Sequence, residues 1–255
     1  MRNGGLVTPP EADLRPARAM VLAAGLGVRM RPITDSVPKP LIEVGGRTLL
    51  DRAIDRLVEA GIGDVVVNVH HLASMFERHL KSRTEPRIHL SPEETRMETG
   101  GGVVKALPML GDEPFVVVNG DVMWLDGPRP TVEAMAEAWN GDHMDGLLLL
   151  HPTVEAFGYD GRGDFIMDPD GRLRRRPERW VAPHLFAGIQ ILHPRFFEEA
   201  PEGSFSLNVL YDRAMEAGRL FGSLHDGKWF HIGTPDGLAV AESYLRAQHS
   251  GVKRT

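Results

Sequence analysis

Apolar and polar positions along this chain keep two rhythms. Short, nearly continuous apolar runs at 19–24, 64–69, 87–90, 115–118, 146–150 and 186–192 predict buried strands. Between them, apolar residues recur at intervals of three and four, the spacing of one helical face. Leu50, Ala53, Ile54, Leu57 and Val58 form such a face, with Thr48 placed as N-cap and Gly61 as terminator. Further helices are predicted at 72–81, around Val103 to Leu107, at 131–139, 207–216 and 234–248. Strands alternating with helices predict an α/β fold with a mostly parallel central sheet flanked by helices, because parallel neighbours need a crossover. Asp168-Pro169-Asp170-Gly171 predicts a hairpin turn. The expected division is a flexible leader over 1–18 and a single catalytic domain over 19–255, with no appended β-helix.

Composition narrows the possibilities. A chain of 255 residues, 42% hydrophobic, can bury a full core. A net charge of -6 argues against general nucleic-acid binding. With no cysteine, disulfides, thiolate metal sites and a cysteine nucleophile are all excluded. No apolar run reaches the roughly 18 residues of a membrane span, and residues 1–18 lack the apolar core of a secretory signal. A cytoplasmic protein, monomeric or a small homo-oligomer, is expected.

Candidate chemistry concentrates in AMVLAAGLGVRMRPITDSVPKPL, residues 19–41. A strand breaks there into a loop carrying Gly25, Gly27, Arg29, Arg31 and Lys39. The glycines let backbone N–H groups approach an anion closely, and Arg29 and Lys39 bring positive charge to it. Neither familiar phosphate loop fits. The dinucleotide pattern G-x-G-x-x-G fails at Met30, and G-x-x-x-x-G-K-[ST] occurs nowhere. Farther on, the strand at 115–118 runs into Asn119-Gly120-Asp121. Ligands of open α/β sheets sit beyond the carboxyl ends of strands, and a carboxylate there suits Mg²⁺ on nucleotide phosphates. A second glycine-rich stretch, SPEETRMETGGG at 91–102, reads as a loop whose glycines admit a flat base edge. In GRGDF, Asp164 is a short carboxylate able to accept hydrogen bonds from hydroxyl or amide donors. The basic run 172–179 reads as a solvated strand face, with attraction of a substrate carboxylate as the functional alternative.

LAAGLGVRMRPITDSVPKPL resembles the opening of the sugar-1-phosphate nucleotidyltransferases, L-A-A-G-x-G-x-R-[LM]-x-P-x-T followed by P-K-[PA]. ETGGG, KALP and GRGDF resemble in particular the members that act on N-acetylmuramate 1-phosphate. The resemblance implies a Rossmann-like, glycosyltransferase-A type fold. It also implies transfer of a uridylyl group from UTP to that sugar phosphate, as in recycling of cell-wall sugars. It places Ala23, Ala24, Gly25, Gly27, Val28, Arg29, Lys39, Glu98, Gly100, Gly101 and Asn119 on the nucleotide. Asn119, Asp164 and Gly188 fall on the sugar, and Arg29, Lys39 and Asp121 on the reacting phosphates. Mg²⁺, or Mn²⁺, is the implied cofactor, held by Asp121. One position departs from the pattern: where the family's W-x-D-[IV]-G-T carries a second metal-binding aspartate, this chain has His231. Imidazole suits Mn²⁺, Co²⁺ or Zn²⁺ better than Mg²⁺, so His231 is an expected weak ligand at most. Thymidylyl or guanylyl transfer to glucose or mannose 1-phosphate is the near alternative, and a catalytically silent sugar-nucleotide sensor the distant one.

Overall fold

The computed structural model describes residues 15–252, so most of the predicted leader lies outside the described residues. The strands are β1 (Arg18–Leu22), β2 (Glu43–Val44), β3 (Arg47–Thr48), β4 (Asp64–Val69), β5 (Arg87–Pro92), β6 (Phe115–Asn119) and β7 (Val122–Leu125). They continue with β8 (Gly146–Pro152), β9 (Phe165–Met167), β10 (Leu173–Arg175), β11 (His184–Leu192), β12 (Leu220–Leu224) and β13 (Lys228–His231). The helices are α1 (Leu49–Glu59), α2 (Ala73–Leu80), α3 (Glu98–Leu110), α4 (Thr131–Ala138), α5 (Asn208–Glu216) and α6 (Pro235–Val252). Among the described residues, no helix is long and apolar enough to cross a membrane.

Strands β5, β4, β1 and β6 run parallel side by side, and β8 and β12 form a second parallel pair. Between the two groups lies β11, antiparallel to both β6 and β8. The hairpin β9–β10, turned at Asp168–Gly171 as its sequence predicts, hangs from the start of β11. Continuous apolar runs arise because both faces of the sheet are covered. Val21, Val65, Val67, Val116 and Val118 face α1, α2 and α4, while Met20, Val66, Phe115 and Val117 face α3 and α5. A third cluster, with Met30, Ile42, Met123, Phe230, Ile232 and Leu245, packs under α6 and anchors the loop after β1.

Three expectations are corrected. The first strand stops at Leu22 rather than residue 24, because the Ala23 N–H leaves the ladder for the Asn68 side chain at 2.7 Å. The second glycine-rich stretch is helical from Glu98 onward, so Gly100, Gly101 and Gly102 belong to α3. Their lack of side chains lets α3 pack closely. A Cβ at 100 would overlap the Phe205 ring, and one at 101 would overlap the Gly203 carbonyl. The third concerns β2, β3, β7, β12 and β13, which sequence periodicity did not predict as strands. The small β7–β13 sheet matters most, since it pairs His231 with Val122, next to Asp121.

Candidate active site

The carboxyl ends of β1, β4 and β6 open onto a cleft of about 310 Å³. One wall is the turn after β1. Gly27 takes a left-handed backbone (φ +61) with Thr34 and Lys39 packed against it; a Cβ would stand 2.8 Å from Thr34 Cγ2 and 3.2 Å from Lys39 Cβ. Its carbonyl accepts from the Met30 N–H at 2.8 Å and from Thr34 Oγ1 at 2.9 Å, which closes the turn. Gly25 has open space where a Cβ would be and lines the cleft. Arg29 is exposed on the same wall.

Lys39 begins a short 3₁₀ turn, Lys39–Leu41, and is only 7% exposed. Its Nζ donates to Asp121 Oδ2 at 2.8 Å. Asp121 stands there because Gly120 lets the end of β6 press on the end of β1. The Gly120 N–H donates to the Leu22 carbonyl at 2.9 Å, and a Cβ on Gly120 would meet that oxygen at 2.7 Å. Burial disfavours an Asp121 carboxylate, but the neighbouring Lys39 charge and hydrogen bond, helped by His231 and Arg29, hold it below the usual carboxylate range. His231 is pushed the other way from an ordinary cationic partner. Burial, reinforced by Lys39 and Arg29 against the pull of Asp121, lowers its pKa. The ring lies edge-on to Tyr159 and stacked near Trp229.

Among the described residues, no group of three or more His, Cys, Asp or Glu side chains could hold an ion. One carboxylate beside an imidazole fits a cation that brings most of its ligands with it, as Mg²⁺ does when it carries phosphate oxygens and water.

Of the predicted residues, Ala23, Ala24, Gly25, Gly27, Val28, Arg29, Lys39, Glu98, Asn119 and Asp121 line the cleft. Glu98 does so from a left-handed backbone (φ +57), ion-paired with Arg96 at 2.5 Å. Gly100 and Gly101 are buried against Phe205 and Gly203 and do not line it. Asp164 also lies outside the cleft lining, and its Oδ2 accepts from the Phe186 N–H at 2.9 Å. Gly188 (φ +81) sits at a register shift in β11, tight against Asn119 and Val122. The basic run is largely committed to the fold. Arg175 pairs with Asp212 at 2.7 Å and lies over the Phe165 ring, while Arg176 donates to the carbonyls of Gly163, Pro177, Glu178 and Trp180. Sequence reasoning missed Asn68, Glu93, Arg96 and Thr99 on the cleft wall. Asn68 carried a signal, as the one polar residue inside the run VVVNV.

A family model described as nucleotidyl transferase matches residues 18–248. The chain is 41% identical over 235 residues to an N-acetylmuramate alpha-1-phosphate uridylyltransferase of Caulobacter vibrioides, covering 90% of this chain and 97% of that protein. It is 36% identical over 238 residues to the protein of the same name from Neisseria meningitidis serogroup B, covering 90% and 99%. A crystal structure of a UDP-glucose pyrophosphorylase complexed with UDP-glucose superposes with a TM-score of 0.73 over 91% of this chain and 98% of that one. At 17% identity, that likeness speaks for the fold.

Proposed function

The chain belongs to the nucleotidyl transferase family, and from that premise we propose that it transfers the uridylyl group of UTP to N-acetylmuramate 1-phosphate, releasing pyrophosphate. The observation that carries the reaction is the Lys39–Asp121 pair at the cleft, with the exposed Arg29 guanidinium on the adjoining wall. The choice of sugar rests on the two relatives of that activity, matched over nearly their whole length.

The chemistry needs no general base. A phosphate monoester has its second pKa near about 6, so the sugar phosphate arrives largely as a dianion and its oxygen attacks the α-phosphorus directly. What remains is alignment and charge neutralisation, which dominate phosphoryl-group transfer. Arg29 neutralises the departing β and γ phosphates. Lys39 exchanges part of its contact with Asp121 for the α-phosphate and the incoming sugar phosphate. Mg²⁺ or Mn²⁺, held by Asp121 with phosphate oxygens and water, would supply further neutralisation of the triphosphate. His231, beside Asp121, is a ligand of second rank in this reading.

Pyrophosphate release should be measured with Mg²⁺ and UTP, offering the 1-phosphates of N-acetylmuramate, N-acetylglucosamine, glucose and mannose in parallel. A strong preference for the muramate compound is expected. Turnover confined to another sugar phosphate would overturn the assignment of substrate, and no turnover with any of them would overturn the enzyme reading.

A further inference from the structure

The two stretches of chain that face each other across the cleft are joined by hydrogen bonds that belong neither to the strand ladders nor to the phosphate-handling residues. Asn68 in β4 and Glu93 just past β5 are 3% and 5% exposed, and both line the cleft. Asn68 Oδ1 accepts from the Ala23 N–H at 2.7 Å, and its Nδ2 donates to Glu93 Oε1 at 2.7 Å. Glu93 Oε2 accepts from the Met97 N–H at 3.0 Å. The Glu93 backbone is itself tied down: its N–H donates to the Val69 carbonyl at 2.8 Å, and its carbonyl accepts from His70 Nδ1 at 2.9 Å. Gly102 leaves room for the pair, since a Cβ there would stand 2.9 Å from Glu93 Oε1 and 3.0 Å from Asn68 Nδ2.

We infer that Asn68 and Glu93 are positioning residues for the nucleoside triphosphate. Their link runs from the first residue past β1 to the residue that enters α3, so it sets the spacing between the phosphate-binding turn and the wall carrying Arg96, Glu98 and Thr99. A buried polar network whose members are all paired holds one geometry. A cleft spaced in advance spares the ligand the cost of ordering it. This inference rests on the nucleotidyl-transfer reading of the cleft and adds two residues that touch neither reacting phosphate nor metal.

The link has a polarity, and that polarity can be exchanged. Asn68→Asp alone sets a carboxylate against Glu93. Glu93→Gln alone keeps one carbonyl oxygen for two donors, Asn68 Nδ2 and the Met97 N–H. With both changes, the new carboxylate at 68 accepts from the Ala23 N–H and from the new amide at 93, whose oxygen still accepts from the Met97 N–H, and the total charge is unchanged. Calorimetry with Mg²⁺ should first find which of UTP, dTTP, GTP and ATP the wild type binds most tightly; that triphosphate is then the probe. A probe other than UTP would correct the base assignment above and still test the link. Each single variant should bind the probe about tenfold or more weakly, the loss of a hydrogen bond to a charged group, with KM for the triphosphate rising by a larger factor than kcat falls. The double variant should recover most of that loss, a coupling that independent sites do not show. Gly102→Ala, which only nudges the two side chains, should weaken the probe less than the single variants do and keeps the test open should those fail to fold. Single variants and Gly102→Ala that bind as wild type, or a folded double variant no better than the poorer single, would overturn the inference.

Discussion

At the residue scale, the proposed reaction leans on the Lys39–Asp121 ion pair, two side chains of opposite sign at the cleft. Lys39→Ala and Asp121→Ala should each lower turnover by about a hundredfold or more, the usual cost of removing one preorganised charge-stabilising group. Melting temperature should change far less; steady-state rates and a thermal melt on the same samples check both. Lys39 and Asp121 were legible in the sequence because the chemistry that needs them shows as short motifs, PKP after a glycine turn and NGD after an apolar run. Gly100 and Gly101 were legible as important and misread as to cause. A glycine signals only that something approaches closely, and here it is the Phe205 ring and the Gly203 backbone, over a hundred residues away in the chain. Asn68 and Glu93 lacked a motif, because their meaning comes from a partner on the neighbouring strand.

At the scale of elements, the loop between α4 and β8 is pinned to the segment after β11 and to the start of β12 by one carboxylate. Asp145 Oδ1 accepts from Arg195 Nε at 2.5 Å and from Arg219 Nε at 2.8 Å. Arg195 also donates to the Met144 carbonyl at 2.7 Å, and Arg219 to the Asp142 carbonyl at 3.1 Å. Burial raises the Asp145 pKa, but the two guanidinium hydrogen bonds and charges outweigh it and hold the carboxyl below its usual range. A carboxyl depressed in the folded state stabilises above its unfolded pKa, about 3.9, and that stabilisation is lost as pH falls through the lower folded value. Asp145→Asn should therefore cost about 1–3 kcal/mol at pH 7, and its melting temperature should converge on that of the wild type as pH drops below about 4. A gap that persists there would contradict the assignment. Periodicity located the long elements to within a few residues, as with α1, whose Thr48 cap accepts from the Asp51 N–H at 3.0 Å. It missed β7, β12 and β13, which are short and whose partners are distant in sequence, so no local period marks them.

At the scale of the whole molecule, the alternation of strands and helices gave the parallel groups, but not that β11 runs against them. An apolar run buried on both faces reads the same in either direction. The sheet also buries a pair of histidines. His151 is fully buried and His225 nearly so, with ring centroids 5.6 Å apart, and burial lowers both pKa values. The unfolded chain takes up protons at these positions near pH 6.5 while the folded chain resists, so stability is complete above about pH 6.5 and declines as pH falls below it. A melting temperature flat from pH 8 to 7 and falling toward pH 5 is expected, with a shallower fall in His151→Phe. An equal fall in that variant would place the acid sensitivity elsewhere.

The chain has five lysines, at positions 39, 81, 105, 228 and 253, and among the four in the described residues Lys39, at the cleft, is the one folded away against its own acid. An amine-directed reagent meets side chains at a rate set by exposure and freedom, so Lys39 should be the last of lysines 39, 81, 105 and 228 to be modified. Peptide mapping over a time course would show it, and early labelling of Lys39 would mean that the pair is often open. The slow rate at that one amine then serves as a clock for how often the acid lets go of the lysine before any substrate arrives.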